Sequence, residues 1–224
     1  VPLRVGDLRH CRRDVRRHVA HVRQGRIETA LGQIFRGDLL GQLGPFRDAW
    51  RRGDLQAAEH VAERDLAIGA DSGEQLLERV QGHLLWQAYQ SFFAVIFWYF
   101  LLGPVVALAY RLLALASEHS QNPLVAERAG QLRHAFDWLP VRLLAASFAL
   151  VGNFVAVSRV MLHELLNWDI RAAQLVEKVG LVAGEIPAPV VGAEGINSLD
   201  RLWELLLRAA VLWYAEFAIW TVLP

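Results

Sequence analysis

The sequence predicts an all-α integral membrane protein with about three transmembrane helices and amphipathic helices on the cytoplasmic side. Three observations carry that expectation. Phe92–Tyr110, FFAVIFWYFLLGPVVALAY, runs for 19 residues without a charge. A bilayer core about 30 Å thick needs roughly 20 apolar residues of helix, and a strand or a soluble core helix seldom stays uncharged for so long. A second uncharged run lies between Arg142 and Arg159, and a third apolar stretch, LLLRAAVLWYAEFAIWTVL, closes the chain. The apolar share of 54% only slightly exceeds the roughly 45–50% of soluble domains. Its excess is concentrated in these runs, which sets spans near 92–110, 139–158 and 205–223 beside a substantial water-facing part.

Residues 1–35 carry eight arginines against Asp7, Asp14 and Glu28. This Arg-rich segment reads as a solvated, poorly ordered tail. Its one aromatic, Phe35, is its last residue and it has no reader motif, so no nucleic-acid partner is expected. The chain as a whole is neutral, with 22 Arg and a single Lys, and the lone Cys11 excludes an internal disulfide. The first adequate apolar run starts near residue 92, so no signal peptide is expected and the spans themselves would direct insertion. Fourteen of the arginines precede that run, which places the amino-terminal side in the cytoplasm.

Between 36 and 91 the pattern is that of helices outside the membrane. Asp54 is placed to cap a helix through Leu55–Leu66, and Ile68-Gly69-Ala70 to break it. Asp71 or Ser72 then caps a second helix, Ser72 and Gln75 having capping-box spacing. Trp86 and Tyr89 fall where an interfacial aromatic belt belongs. Gly103-Pro104 predicts a proline kink within the first span, which closes at Tyr110-Arg111, an aromatic and a snorkelling cation. Residues 112–138 read as a polar connection with a short helical piece over Leu124–Phe136. Ser147 and Asn153 are polar groups inside the second span that face other helices. Residues 160–183 read as one amphipathic surface helix ended by Gly184. Asn197 and Asp200 form a cap pair for the last helix, Ser198–Leu223.

Sites of chemistry are sparse. Glu216, an ionisable residue inside a span, is a functional candidate by position. Glu204 and Arg208 have the i, i+4 order of a local ion pair. His163-Glu164-Leu165-Leu166-Asn167 opens like H-E-x-x-H, but Asn167 stands where the second zinc ligand is required. Glu59, His60 and Glu63 read as a solvated helix face. No phosphate-binding or nucleophile motif occurs, and neither a metal nor a cofactor is expected.

Several segments together resemble the AmpE family of Gram-negative inner-membrane proteins. They are Arg36-Gly37-Asp38, PFRDAWRRGDLQAA (45–58), FWYFLLGPVVALAYRLL (97–113), FDWLPVRLLAASFAL (136–150) and LDRLWELLLRAAVLWY (199–214). The resemblance covers about residues 36–224. That family is similar in turn to the cobalamin-pathway membrane enzymes that attach an aminopropanol arm to cobyric acid. The shared parts here are Ala109-Tyr110-Arg111 and Asp137-Trp138-Leu139-Pro140-Val141-Arg142. The enzymes' polar Glu-Asn-Thr-Ser-Asp-Gly stretch is replaced by LLWQAYQS (84–91), and their Asn-Thr-Leu-Asp by LLALAS (112–117). Ahead of Arg36 the family carries an apolar, membrane-embedded stretch, where this chain has its Arg-rich segment.

The resemblance implies a multi-pass protein of the bacterial inner membrane with a role in cell-wall recycling and β-lactamase induction, and it argues against synthase activity. The alternative it leaves open is a membrane-embedded ligand-binding protein, residual enzyme or transporter acting on a nucleotide-, cobamide- or muropeptide-like ligand. Arg36, Asp38, Arg111, Asp137 and Arg142 would then line a site for a small anionic ligand, the arginines as bidentate donors. The expected partners are the lipid bilayer and an unidentified protein or small anion.

Overall fold

The computed structural model describes residues 41–164, 166–189 and 193–222, and their regular structure is entirely helical. The expectations placed on residues 1–35, on Arg36 and on Asp38 lie outside the described residues. Helix α1 (Gly41–Arg51) turns at Gly53, φ 74°, into α2 (Leu55–Leu66). The Asp54 carboxylate accepts the Ala57 N–H at 2.9 Å, the cap expected there. Ala67, at φ 55°, ends α2 where the break was expected. Helix α3 (Gly73–Ala88) starts on Ser72, whose Oγ accepts the Gln75 N–H at 3.3 Å. Arg79 donates to the Gly69 carbonyl and ties the link to α3.

From α3 the helix continues through a π turn (Tyr89–Phe93) into α4 (Ala94–Leu102). Gly73–Leu102 is thus one 30-residue rod, about 45 Å long at 1.5 Å per residue. It stops sharply at Gly103, φ 87° and ψ −178°, and Pro104 opens α5 (Pro104–His119). The run 92–110 is therefore not one kinked span, because α5 folds back along α4. The reason is local. Glycine occupies that backbone region without a side-chain penalty, and proline at the first helical position gives up no needed N–H.

The supposed polar connection shrinks to Ser120–Asn122, since α5 runs to His119 and α6 (Pro123–Val151) follows, its start capped by Asn122. Helix α6 passes through Pro140 unbroken for 29 residues. It ends at Gly152, earlier than the expected span 139–158. There Asn153 caps α7 (Phe154–Glu164), accepting the Ala156 N–H at 3.0 Å, rather than lying inside a span. The stretch 160–183 is two helices, not one: α7 and α8 (Ala172–Ala183), with Gly184 ending the second as expected. A Cβ on Gly152 would sit 2.5 Å from the Ala183 carbonyl oxygen, so α6 and α8 meet there only because the residue is glycine. The last helix, α9 (Ala193–Val222), starts upstream of Asn197 and Asp200, which lie inside it and do not cap it.

Two helical stretches among the described residues, Gly73–Leu102 and Pro123–Val151, are long and apolar enough to cross a membrane. Three such spans were expected. Helix α9 is as long, but Glu194, Asp200, Arg201, Glu204, Arg208 and Glu216 are spread along it. A single apolar core joins α1 to α3, α4, α6, α8 and α9. At its centre Phe93 meets Trp213 edge to face with centroids 5.3 Å apart, and the Trp213 Nε1–H donates to Ser147 Oγ at 2.7 Å. Ser147 thus faces another helix, as expected. Gln81 donates to Ser198 across α3 and α9 at 2.7 Å, and Arg47 of α1 pairs with Asp200. Outward-facing Leu101, Leu102, Val105, Leu108 and Leu150 are exposed, a surface compatible with contact to lipid.

Candidate functional site

The π turn positions the most unusual cluster in the fold. In it the Ala94 N–H bonds the Tyr89 carbonyl, five residues back, and Tyr89 and Gln90 are buried, at 0% and 6% exposed. Such turns recur at functional sites. Opposite them α6 presents Arg133 and Asp137, one helical turn apart, at 8% and 2% exposed. Helix α5 adds Tyr110, Ser117 and Glu118.

These groups bond one another closely. The Tyr89 and Tyr110 hydroxyls both donate to Asp137 Oδ1, at 2.7 and 2.8 Å. Arg133 Nε lies 3.5 Å from Asp137 Oδ2, an electrostatic rather than a hydrogen-bonded contact. Its Nη1 donates to Glu118 Oε1 at 2.6 Å and to Ser117 Oγ at 3.1 Å, and its Nη2 donates to Gln90 Oε1. Gln90 in turn donates to Gln87. The guanidinium also lies over the Trp86 ring, 5.0 Å from the centroid, and Trp86 stacks on Tyr89. A buried charge is tolerated only when its donors and acceptors are taken up in this way. The cluster therefore fixes the register of the π turn, α5 and α6, and most of its polar atoms are committed to each other.

Arg142 belongs to a second constellation. Five residues beyond Asp137, it lies roughly 140° around α6. Its guanidinium covers the Trp138 ring at 4.2 Å and donates to the carbonyls of Trp138, Asn167 and Glu164, at 2.9, 2.6 and 3.3 Å. It thereby fastens the end of α7 to α6. Nearby, His134 Nε2 contacts the Trp168 carbonyl at 2.8 Å and Lys178 pairs with Glu164 at 2.9 Å. Hydrogen bonds from Lys178 and then Asn167 hold the Glu164 carboxyl below its usual range. Glu177 on α8 is shifted the other way, upward, first by burial and then by the Glu78 charge.

Of the residues expected to share one site, the three described ones lie apart. Arg111 is exposed on α5, Asp137 is buried against α5 and the π turn, and Arg142 faces α7. Glu216 is exposed on α9 and lines a groove with Phe97, Leu143 and Trp213. Tyr89 and Tyr110 are not interfacial, because both hydroxyls are buried on Asp137. Arg208 makes no ion pair with Glu204 and instead donates to the Val151 and Glu204 carbonyls, at 3.1 and 3.3 Å. Glu59, His60 and Glu63 are exposed, as a solvated face requires. Sequence reasoning missed Gln90, Glu118 and Arg133. A signal existed in Arg133 and Asp137, whose i, i+4 spacing puts opposite charges on one face of a helix otherwise apolar there.

Comparison with known proteins gives two matches. The model of a family described as "Regulatory signalling modulator protein AmpE" matches residues 37–178, more than half of the chain, and this range contains every residue of the buried cluster. "Protein AmpE" of Shigella flexneri is 31% identical over 105 residues, which cover 43% of this chain. The matched part spans 37% of that relative's length. No solved structure matches.

Proposed function

Because this chain belongs to the AmpE family of regulatory signalling modulators, we propose that it is a multi-pass regulatory protein of the bacterial inner membrane that couples cell-wall recycling to β-lactamase induction. Its working part is the membrane domain over 36–224. The observation that carries this reading is the commitment of the buried cluster to itself. Asp137, Tyr89, Tyr110, Arg133 and Gln90 use their polar atoms to hold three helical segments in one register. Groups so engaged are suited to a two-state mechanical element that a partner or small anion biases, and unsuited to presenting a reactive atom to a substrate. The ligand-site reading built on Arg36, Asp38, Arg111, Asp137 and Arg142 draws no support from the placement of its last three residues.

The test is β-lactam-induced β-lactamase expression in a deletion strain complemented with Asp137→Asn, with Tyr89→Phe combined with Tyr110→Phe, or with Arg111→Ala. Membrane abundance is checked by immunoblot. The cluster variants are expected to alter induction by more than any fall in membrane abundance accounts for, and Arg111→Ala to restore it. Wild-type induction by both cluster variants would sink the proposal.

A further inference from the structure

A groove runs along the seam between α6 and α9. Its polar end lies where α6 meets α8 and is lined by Asn153, Glu185, Arg201 and Arg208. Val151 and Arg208 also line the next section, an apolar trough with Leu207, Val211 and Glu204. That section shares Leu212 and Ala215 with a third, walled by Phe97, Leu143 and Leu150 and bounded by Glu216. The shared residues make the three sections neighbours along one seam. From Arg208 to Ala215 the trough follows seven residues of α9, about 10 Å, before Glu216 interrupts its apolar wall.

The polar end and the section next to it hold unengaged groups of both signs. Arg201 and the Glu204 carboxylate make no hydrogen bond or ion pair among the described residues, and neither does Arg208 Nη2. Glu185 accepts one bond, from Asn153 Nδ2 at 2.7 Å. Two guanidinium groups beside two carboxylates match a headgroup that carries phosphate and ammonium together, not one carrying phosphate alone. The adjoining apolar trough matches an acyl chain, and it lies at the end of α6, one of the two helices long enough to cross a bilayer. We propose that this groove is a specific site for a zwitterionic aminophospholipid, with the phosphate on Arg201 and Arg208, the ammonium on Glu204 and Glu185, and one acyl chain along Val211, Leu212 and Ala215.

Native mass spectrometry of the full chain in detergent tests this. The probes are phosphatidylethanolamine, phosphatidylglycerol and free phosphoethanolamine. Phosphatidylethanolamine is expected to be retained about tenfold better than phosphatidylglycerol, the size of one charge-assisted contact, and free phosphoethanolamine not at all. Arg201→Gln, which breaks no contact within the protein, should weaken retention of both lipids. Glu204→Gln should remove the preference and leave phosphatidylglycerol binding unchanged, and Ala215→Trp should displace both. Equal retention of the two lipids that is indifferent to Arg201→Gln overturns the site, as does equally tight binding of the free headgroup. Helical circular dichroism is recorded for every variant, and because Arg201 and Glu204 are exposed, those two remain decisive if the tryptophan variant fails to fold.

Discussion

At the scale of single residues, the pairing of Asp137 with two tyrosines and an arginine dominates. Asp137→Ala would leave the buried Arg133 its ion pair with Glu118 but would strip the Tyr89 and Tyr110 hydroxyls of their shared carboxylate acceptor, a loss of about 1–3 kcal/mol for each stranded group. Tyr110→Phe removes one hydrogen bond to a charged acceptor, about 1.5–3 kcal/mol. Urea unfolding of the detergent-solubilised chain would order the two variants that way. The two shifted carboxyls of the water-facing helices respond to pH with opposite signs. Glu177, raised in the folded state, adds stability that is present below its unfolded pKa and lost as pH rises through the folded one. Glu164, lowered, adds stability present above its unfolded pKa and lost as pH falls through the folded one. Glu177→Gln should therefore raise the thermal midpoint at pH 7 relative to wild type and leave it little changed at pH 4. Of this chemistry the sequence revealed Asp137, through a resembling motif. It hid the two tyrosines, because Tyr89 and Tyr110 flank an apolar run just as interfacial residues do. Their common partner lies 48 and 27 residues away, a distance that no periodicity reports.

At the scale of elements, caps and glycines were legible and continuity was not. Asp54, Ser72 and Gly184 act where capping chemistry put them, since each needs only its neighbours in sequence. The reversal at Gly103-Pro104 was read as a kink, because hydropathy cannot separate one bent helix from two antiparallel ones. Gly103→Ala is expected to cost about 1–3 kcal/mol through backbone strain alone, there being open space around the added methyl. Gly152→Ala should cost more, since its methyl would press on the Ala183 carbonyl oxygen at 2.5 Å. Thermal melts of the two variants would rank them in that order. The amphipathic stretch 160–183 divides because residues 166–171 turn the chain. The Asn167 carbonyl bonded to Arg142 belongs to that turn, and a local pattern carries no sign of it.

At the scale of the whole molecule, the outward leucines of α4, α5 and α6 and the two long apolar rods predict an integral protein. It should stay in the membrane pellet through an alkaline carbonate wash and leave it only with detergent. Recovery in the carbonate supernatant would contradict the spans. The all-helical class was readable from composition and run length, whereas the number of crossings was not, because α9 distributes charge along a length that would otherwise span. One feature has the widest reach. The π turn over Tyr89–Phe93 amounts to one residue inserted into a helix. Deleting Ser91, which is exposed, would let the rod close as a plain α-helix, because a π turn takes up about one residue more than an α turn and leaves the flanking turns in nearly the same phase. α3 and α4 would keep their packing on the other helices, while Tyr89 and Gln90, inside the turn, would lose the placement that brings them to Asp137 and Arg133. The removal of one residue would thus disengage the buried cluster and spare the rod around it.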